Sequence, residues 1–171
     1  MGLNKVIDRI ESTPLNVGSL KKLLPKYCTF KTVDELNGHR SKVFGKYRCV
    51  VVLIPSNYTK IGHFVVLIAR KRSIEYFSSL GGSPESELDK LGQPRSKLLN
   101  LLGRNYTYNR KQLQSDKSDI HSCAVHVLSR VVLWSLKLKE YTNLFTRKVT
   151  LQNPDEMVSM MTMLHLAEHN L

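Results

Sequence analysis

Cys123 stands where a polar stretch rich in Ser and Asp, residues 114–122, gives way to an apolar one from Ala124 to Leu133. A thiol in the first turn of a helix lies among backbone N–H groups that have no partner within the helix, and the helix dipole favours an anion there. Both effects lower a thiol pKa, so residue type and position together predict a nucleophile. Such a thiol needs a base within reach, and the chain offers six histidines. His63 follows Gly62 at the head of an apolar run, where a strand end can turn a side chain into a cleft. The alternative for it is a strand-end histidine with no partner. His126 lies three positions into the predicted helix, and a packed or surface role is expected of it. His39 falls in a charged loop, and His165 and His169 in the last predicted helix. His121, Cys123 and His126 together spell H-x-C-x2-H. Structural zinc takes four ligands, thiolates dominant, and no second Cys/His pair lies nearby, so no metal is expected.

The elements that must carry these residues follow from periodicity and turn signals. Residues 3–11 read as a short helix ended by Thr13-Pro14, and Ser19 as the cap of a second, Leu20 to Leu24, stopped by Pro25. Thr32 to Leu36 resembles a capped helical turn. Tyr47 to Ile54 and His63 to Ala69 are β-branched, apolar runs bounded by turn residues, hence buried strands, and Ile74 to Phe77 returns as a third after a charged hairpin. Ser83-Pro84 opens a helix, Pro94 to Leu102 another, and Asn105 to Asn109 is a fourth strand. The apolar helix from Cys123 should be buried on most sides until Lys137. Asn153-Pro154-Asp155 starts a C-terminal helix, with Met157, Met160, Met161 and Leu164 as its core-facing stripe. These elements give one α+β domain over residues 1–171, without repeats or linkers.

Composition bounds the function. At 171 residues and 42% hydrophobic, the chain can build a proper core. Neither a signal peptide nor a membrane-spanning run is expected from its apolar stretches. Three widely spaced cysteines do not read as a disulfide framework, which argues for a reducing, intracellular setting. Cys49 lies inside a predicted strand as a small core residue, and Cys28 in a connector. Lys and Arg number 26 against 14 Asp and Glu, a net charge of +12 that favours polyanions, nucleic acid above all. No common nucleic-acid-reading motif accompanies it.

The ordered set Gly62-His63-Phe64-Val65, Tyr76-Phe77-Ser78-Ser79-Leu80-Gly81, Gln114-Ser115 with Ser118, and Cys123-Ala124 resembles the adenovirus endopeptidase and ubiquitin-like-protein protease superfamily. It is most similar to the short forms of adenoviruses, virophages and Polinton-type elements, over roughly residues 28–136. The resemblance implies a papain-like core of the adenain type: a small mixed sheet flanked by helices, with the nucleophile at a helix N-terminus. It implies Cys123 as nucleophile and His63 as general base. Gln114, with Gln112 as rival, would be the oxyanion-hole donor, and Ser78 stands where the family carries an acid. Glu75 would point to the opposite sheet face and is a poor substitute. Phe64 and Ala124 also replace the family's Trp and Gly.

The implied activity is cysteine endopeptidase cleavage beside small residues such as Gly, in viral capsid or core precursors during virion maturation. It would act in the host nucleus or cytoplasmic virus factory and in the virion. No cofactor is required chemically, and DNA is a candidate stimulating polyanion. No membrane partner and a monomer are expected. An isopeptidase acting on ubiquitin-like modifiers and a catalytically inactive nucleic-acid-binding protein on the same fold stand as alternatives.

Overall fold

The computed structural model describes residues 15–115, 122–145 and 153–169, so the predicted helix at residues 3–11 and the positions Ser118 and His121 lie outside the described residues. Five strands form one sheet in the order β1 (Cys28–Thr32), β2 (Cys49–Ile54), β3 (His63–Ala69), β4 (Ile74–Phe77) and β5 (Tyr106–Tyr108). The inner pairs β2–β3 and β3–β4 are antiparallel, and the outer pairs β1–β2 and β4–β5 are parallel. Helices cover both faces, which is why β2 and β3 read as continuous apolar runs rather than alternating ones.

On one face, Val51, Phe64, Val66, Ile68 and Phe77 pack against Leu20 of α1 (Val17–Leu23), the long helix and Tyr141. On the other, Val50, Val52, Val65, Leu67 and Tyr76 pack beneath Phe44 of α2 (Arg40–Phe44), Leu88 of α3 (Pro84–Leu91) and Leu98 of α4 (Ser96–Leu102). The predicted turn at Thr32 is a 3-10 helix, Val33–Glu35, held by the Glu35 carboxylate accepting from the Thr32 amide at 2.6 Å and from its hydroxyl at 3.1 Å.

The helix from Cys123 is α5, Cys123–Val132, and every residue from Ala124 to Val131 is buried, polar ones included. Arg130 is fully buried and donates to Glu75 Oε1 of β4 from Nε (2.8 Å) and Nη2 (2.6 Å). Its Nη1 binds the Leu133 carbonyl at 2.6 Å and Nη2 the Leu136 carbonyl at 2.9 Å. Those carbonyls stand where the chain leaves the helix, so the guanidinium closes α5 several residues before Lys137. Arg70 completes the network on Glu75 Oε2 at 2.6 Å. Glu75 thus lies on the α5 side of the sheet, as strand parity requires.

Several elements depart from the sequence reading. Asn16, not Ser19, caps α1, its Oδ1 accepting from the Ser19 amide at 2.9 Å. Cys28 lies in a strand rather than a connector, in register with Cys49 on β2. The helices α2 and α6 (Leu138–Leu144) were not anticipated, being short and weakly periodic. In α7 (Pro154–His169), Asp155, Val158, Ser159, Thr162 and His165 are buried while Leu164 is 66% exposed. The methionine stripe therefore does not set the helix rotation. Asp155 sets it, because its carboxylate is bonded under α5.

Replacing Arg130 by Ala strips the buried Glu75 Oε1 of its partner and leaves Arg70 alone on Oε2, and is expected to cost about 3 kcal/mol of stability in urea unfolding, whereas the double variant Arg130→Met with Glu75→Leu should recover much of that loss.

Candidate active site

The sheet end where β3 begins gathers the residues singled out by the sequence. Gly62 permits the approach: a Cβ there would lie 2.7 Å from the Ile54 carbonyl oxygen, so no side chain fits where β3 meets β2. His63, 6% exposed, opens β3, and its Nε2 lies 2.9 Å from Ser78 Oγ just beyond the end of β4. The Ser78 hydroxyl also accepts from the Leu80 amide at 3.2 Å. Asn109, buried after β5, holds the Ser78 backbone from both sides. Its Oδ1 accepts from the Ser78 amide at 3.0 Å, and its Nδ2 donates to the Ser78 carbonyl at 2.6 Å.

The next turn carries the glutamine. Gly81 has φ +69°, and a Cβ there would come within 2.6 Å of the Gln112 nitrogen, so the 111–114 segment lies directly on this turn. Leu113 and Gln114 donate their amides to the Ser79 carbonyl at 2.8 and 3.0 Å. The Ser79 hydroxyl donates to Gln114 Oε1 at 2.7 Å, which fixes the amide plane with Nε2 turned away from that bond. Gln112 is exposed, and its Nε2 donates to the Gln114 carbonyl at 2.9 Å. Of the two glutamines, Gln114 is the one built into the turn beside Ser78.

Cys123, half-buried, is the first residue of α5. Backbone amides of Phe64, Ala124 and Cys123 itself favour its thiolate, yet burial outweighs them and raises its pKa above the ordinary value. This corrects the expectation of a lowered thiol pKa: the helix N-terminus helps, but the surroundings are too dry for it to win. Burial likewise lowers the pKa of His63 to about 4, with a smaller contribution from His126. At neutral pH the pair therefore rests as thiol and neutral imidazole. No hydrogen bond joins the Cys123 sulfur to the His63 ring among the described residues. The helix that Cys123 opens packs against the strand that His63 opens.

His126 is fully buried, and its Nε2 lies 2.9 Å from Asp155 Oδ1. That carboxylate also takes the Ser122 hydroxyl and, through Oδ2, the Ser115 amide at 3.0 Å. Asp155 thus ties α7 to α5 and to both flanks of segment 116–121. These bonds, with that from burial opposing them, hold its pKa below the usual value. Among the described residues no cluster of three or more His, Cys, Asp or Glu side chains is disposed to hold a metal ion, and no helix is long and apolar enough to cross a membrane. Sequence reasoning missed Ser79, Asn109 and Asp155 as parts of this site. Asp155 carried a signal only as a first-turn acid, and Asn109 carried none.

No family model matches the chain. It is 30% identical over 159 residues to the uncharacterized protein V9 of Sputnik virophage, an alignment covering 82% of this chain and 83% of the virophage protein. The chain belongs to the family of that protein. A viral origin, which the resemblance implied, is supported by this V9 relative. The name of V9 states no activity, so the chemistry of the family has to be argued from residues.

His63 sets a pH dependence of stability. Its folded pKa of about 4 lies below the 6.5 of an exposed imidazole, so between those values the unfolded chain binds the proton and the folded chain does not. The stabilisation is whole above pH 6.5 and is lost as pH falls toward 4. Urea unfolding should show wild type losing about 3 kcal/mol more than His63→Asn between pH 7 and pH 4, the difference removing the parallel contribution of Asp155.

Proposed function

We propose that this protein is a cysteine endopeptidase that cleaves viral capsid or core precursors beside small residues such as Gly. One observation supports the reading above others: His63 Nε2 is held by Ser78 at 2.9 Å at the head of the strand on which the helix opened by Cys123 packs, while Ser79 orients Gln114 in the adjoining turn. Three residues chosen from sequence, His63, Ser78 and Gln114, meet around one turn at the sheet end, and the helix that Cys123 opens packs against the strand that His63 opens.

In the proposed reaction His63 takes the thiol proton as the Cys123 sulfur attacks the peptide carbonyl carbon. With Nε2–H bonded to Ser78 Oγ, the basic nitrogen is Nδ1. The Gln114 side-chain amide and the Cys123 backbone N–H donate to the developing oxyanion. As the C–N bond breaks, His63 returns the proton to the leaving amine, leaving a thioester. Water, deprotonated by His63, then attacks the thioester carbon; the C–S bond breaks, and the proton restores the thiol. Because the pair starts neutral, charge separates only as the bond forms. His63 is a weak base at its lowered pKa, so this enzyme depends more heavily on groups that stabilise the imidazolium.

A polyanion partner is proposed on separate grounds. Arg70, Arg110, Lys111, Lys137 and Lys139 line one open cavity of about 480 Å³ on the β5–α6 side, which gives part of the +12 charge a location. Duplex DNA should bind there at low salt. Alanine at Arg110, Lys111, Lys137 and Lys139 together should weaken binding roughly tenfold or more and flatten its salt dependence; unchanged affinity would end this proposal.

Iodoacetamide labelling near neutral pH, located by mass spectrometry, tests the protease reading. Cys123 should react selectively over the buried Cys28 and Cys49, and His63→Ala should abolish the selectivity. In a peptide-cleavage assay Gln114→Ala should lower kcat about 10²–10³-fold. Slow labelling of Cys123 that ignores His63 would favour an inactive nucleic-acid-binding protein, and release of a Gly-Gly-linked modifier would favour an isopeptidase.

A further inference from the structure

The family's acid position is occupied by a serine, yet a carboxylate is present. Glu87, on α3, is 2% exposed, and its Oε2 lies 3.8 Å from His63 Nε2. It comes from the face of the sheet opposite α5, in a stretch that reads from sequence as an ordinary first helical turn. Its Oε1 accepts from the Gly82 amide at 3.1 Å, and Oε2 from the Tyr76 hydroxyl. The Ser78 hydroxyl adds to the stabilisation of its charged form, as does Lys90 from a distance, against a burial that raises its pKa. Among the described residues His63 is the basic group within 4 Å of it.

A carboxylate buried this deeply without an Arg or Lys beside it is costly, and it is placed where a positive charge would arise only when His63 is protonated. Two backbone features hold it there. Ser83 caps α3, its Oγ accepting from the Ser86 amide at 3.2 Å. Gly82 leaves the room, since a Cβ there would sit 2.8 Å from Glu87 Cγ.

We propose that Glu87 is the acid of this site, a positioning residue that acts on His63 through and beside the Ser78 hydroxyl. The inference rests on the protease reading and adds a residue to it. His63 Nε2–H donates to Ser78 Oγ, the Ser78 O–H is turned to the Glu87 carboxylate, and Nδ1 is left as the nitrogen that receives the thiol proton. The acid has moved from the strand end to the neighbouring helix, with serine as the bridge. The other titratable groups around His63 are Tyr76, which is bonded to Glu87, and His126 and Cys123 on α5.

The test is the pH profile of Cys123 alkylation together with peptide turnover, for wild type, Glu87→Gln, Ser78→Ala, the double variant of those two, and Ser78→Asp combined with Glu87→Gln. Glu87→Gln should lower kcat and the alkylation rate roughly 10–100-fold with KM little changed, and should displace the profile. Ser78→Ala should do the same, the double variant should lose no more than either alone, and the Asp at position 78 should restore activity to within a few-fold of wild type. Additive losses, an unmoved profile in a folded Glu87→Gln protein, or absence of rescue would overturn the role of Glu87 while leaving the protease reading intact. Wild-type alkylation that ignores His63 would overturn both. If Glu87→Gln fails to fold, Ser78→Ala and the Asp-rescued double variant decide the question alone.

Discussion

The burial of α5 with its polar residues inside is the constraint on which the rest depends. A helix buried on its apolar residues alone can slide by a turn at modest cost, because one apolar contact substitutes for another. A helix that also buries Arg130 and His126 cannot, because each needs a partner of fixed position. Glu75 on β4 supplies one and Asp155 on α7 the other, to side chains about one turn apart along the helix. Between them they fix rotation and height, and so place the first turn against the Phe64 amide.

The same dryness shapes the chemistry. A cysteine protease with an exposed, polar site can store its nucleophile as a thiolate beside an imidazolium. Here burial disfavours both charged forms, raising the thiol and lowering the imidazole. The proposed enzyme would then gain its rate from charges that appear only in transit, through the Gln114 amide on one side and Glu87 on the other. Its polar contacts are not spread evenly around the site. They are concentrated in the Ser78–Ser79 turn, where Ser78 meets the imidazole, Ser79 meets the glutamine and Asn109 braces the Ser78 backbone from both sides.

Much of this was legible in the sequence. Strands His63–Ala69 and Ile74–Phe77 begin and end where β-branched runs meet turn residues, and α3 and α7 start at their Ser-Pro and Asn-Pro signals. Three candidate site residues, His63, Ser78 and Cys123, could be named because each lies at an element boundary, where residue type and punctuation speak together; Gln114, in the loop after β5, was named from the resemblance alone. What escaped were features set by tertiary pairing. β1 is a strand because β2 accepts it in parallel, α7 turns on a carboxylate rather than on its methionines, and Glu87 reaches His63 across two elements. The direction of the thiol pKa was misjudged for a related reason: helix position is local and readable, whereas desolvation belongs to the assembled fold.

Asp155 has an implication for the order in which the molecule becomes competent. It binds Ser115, Ser122 and His126, so the stretch bearing Cys123 is held at both flanks by a residue 29 to 40 positions further along. During synthesis the sheet and α5 leave the ribosome before α7 exists. Until Asp155 arrives, the Ser115 and Ser122 segments lack their common tether, and the His126 ring waits without its hydrogen-bond partner. That sequence of events is a delay written into chain connectivity: the tether between the Ser115 and Ser122 segments closes only after α7 is delivered.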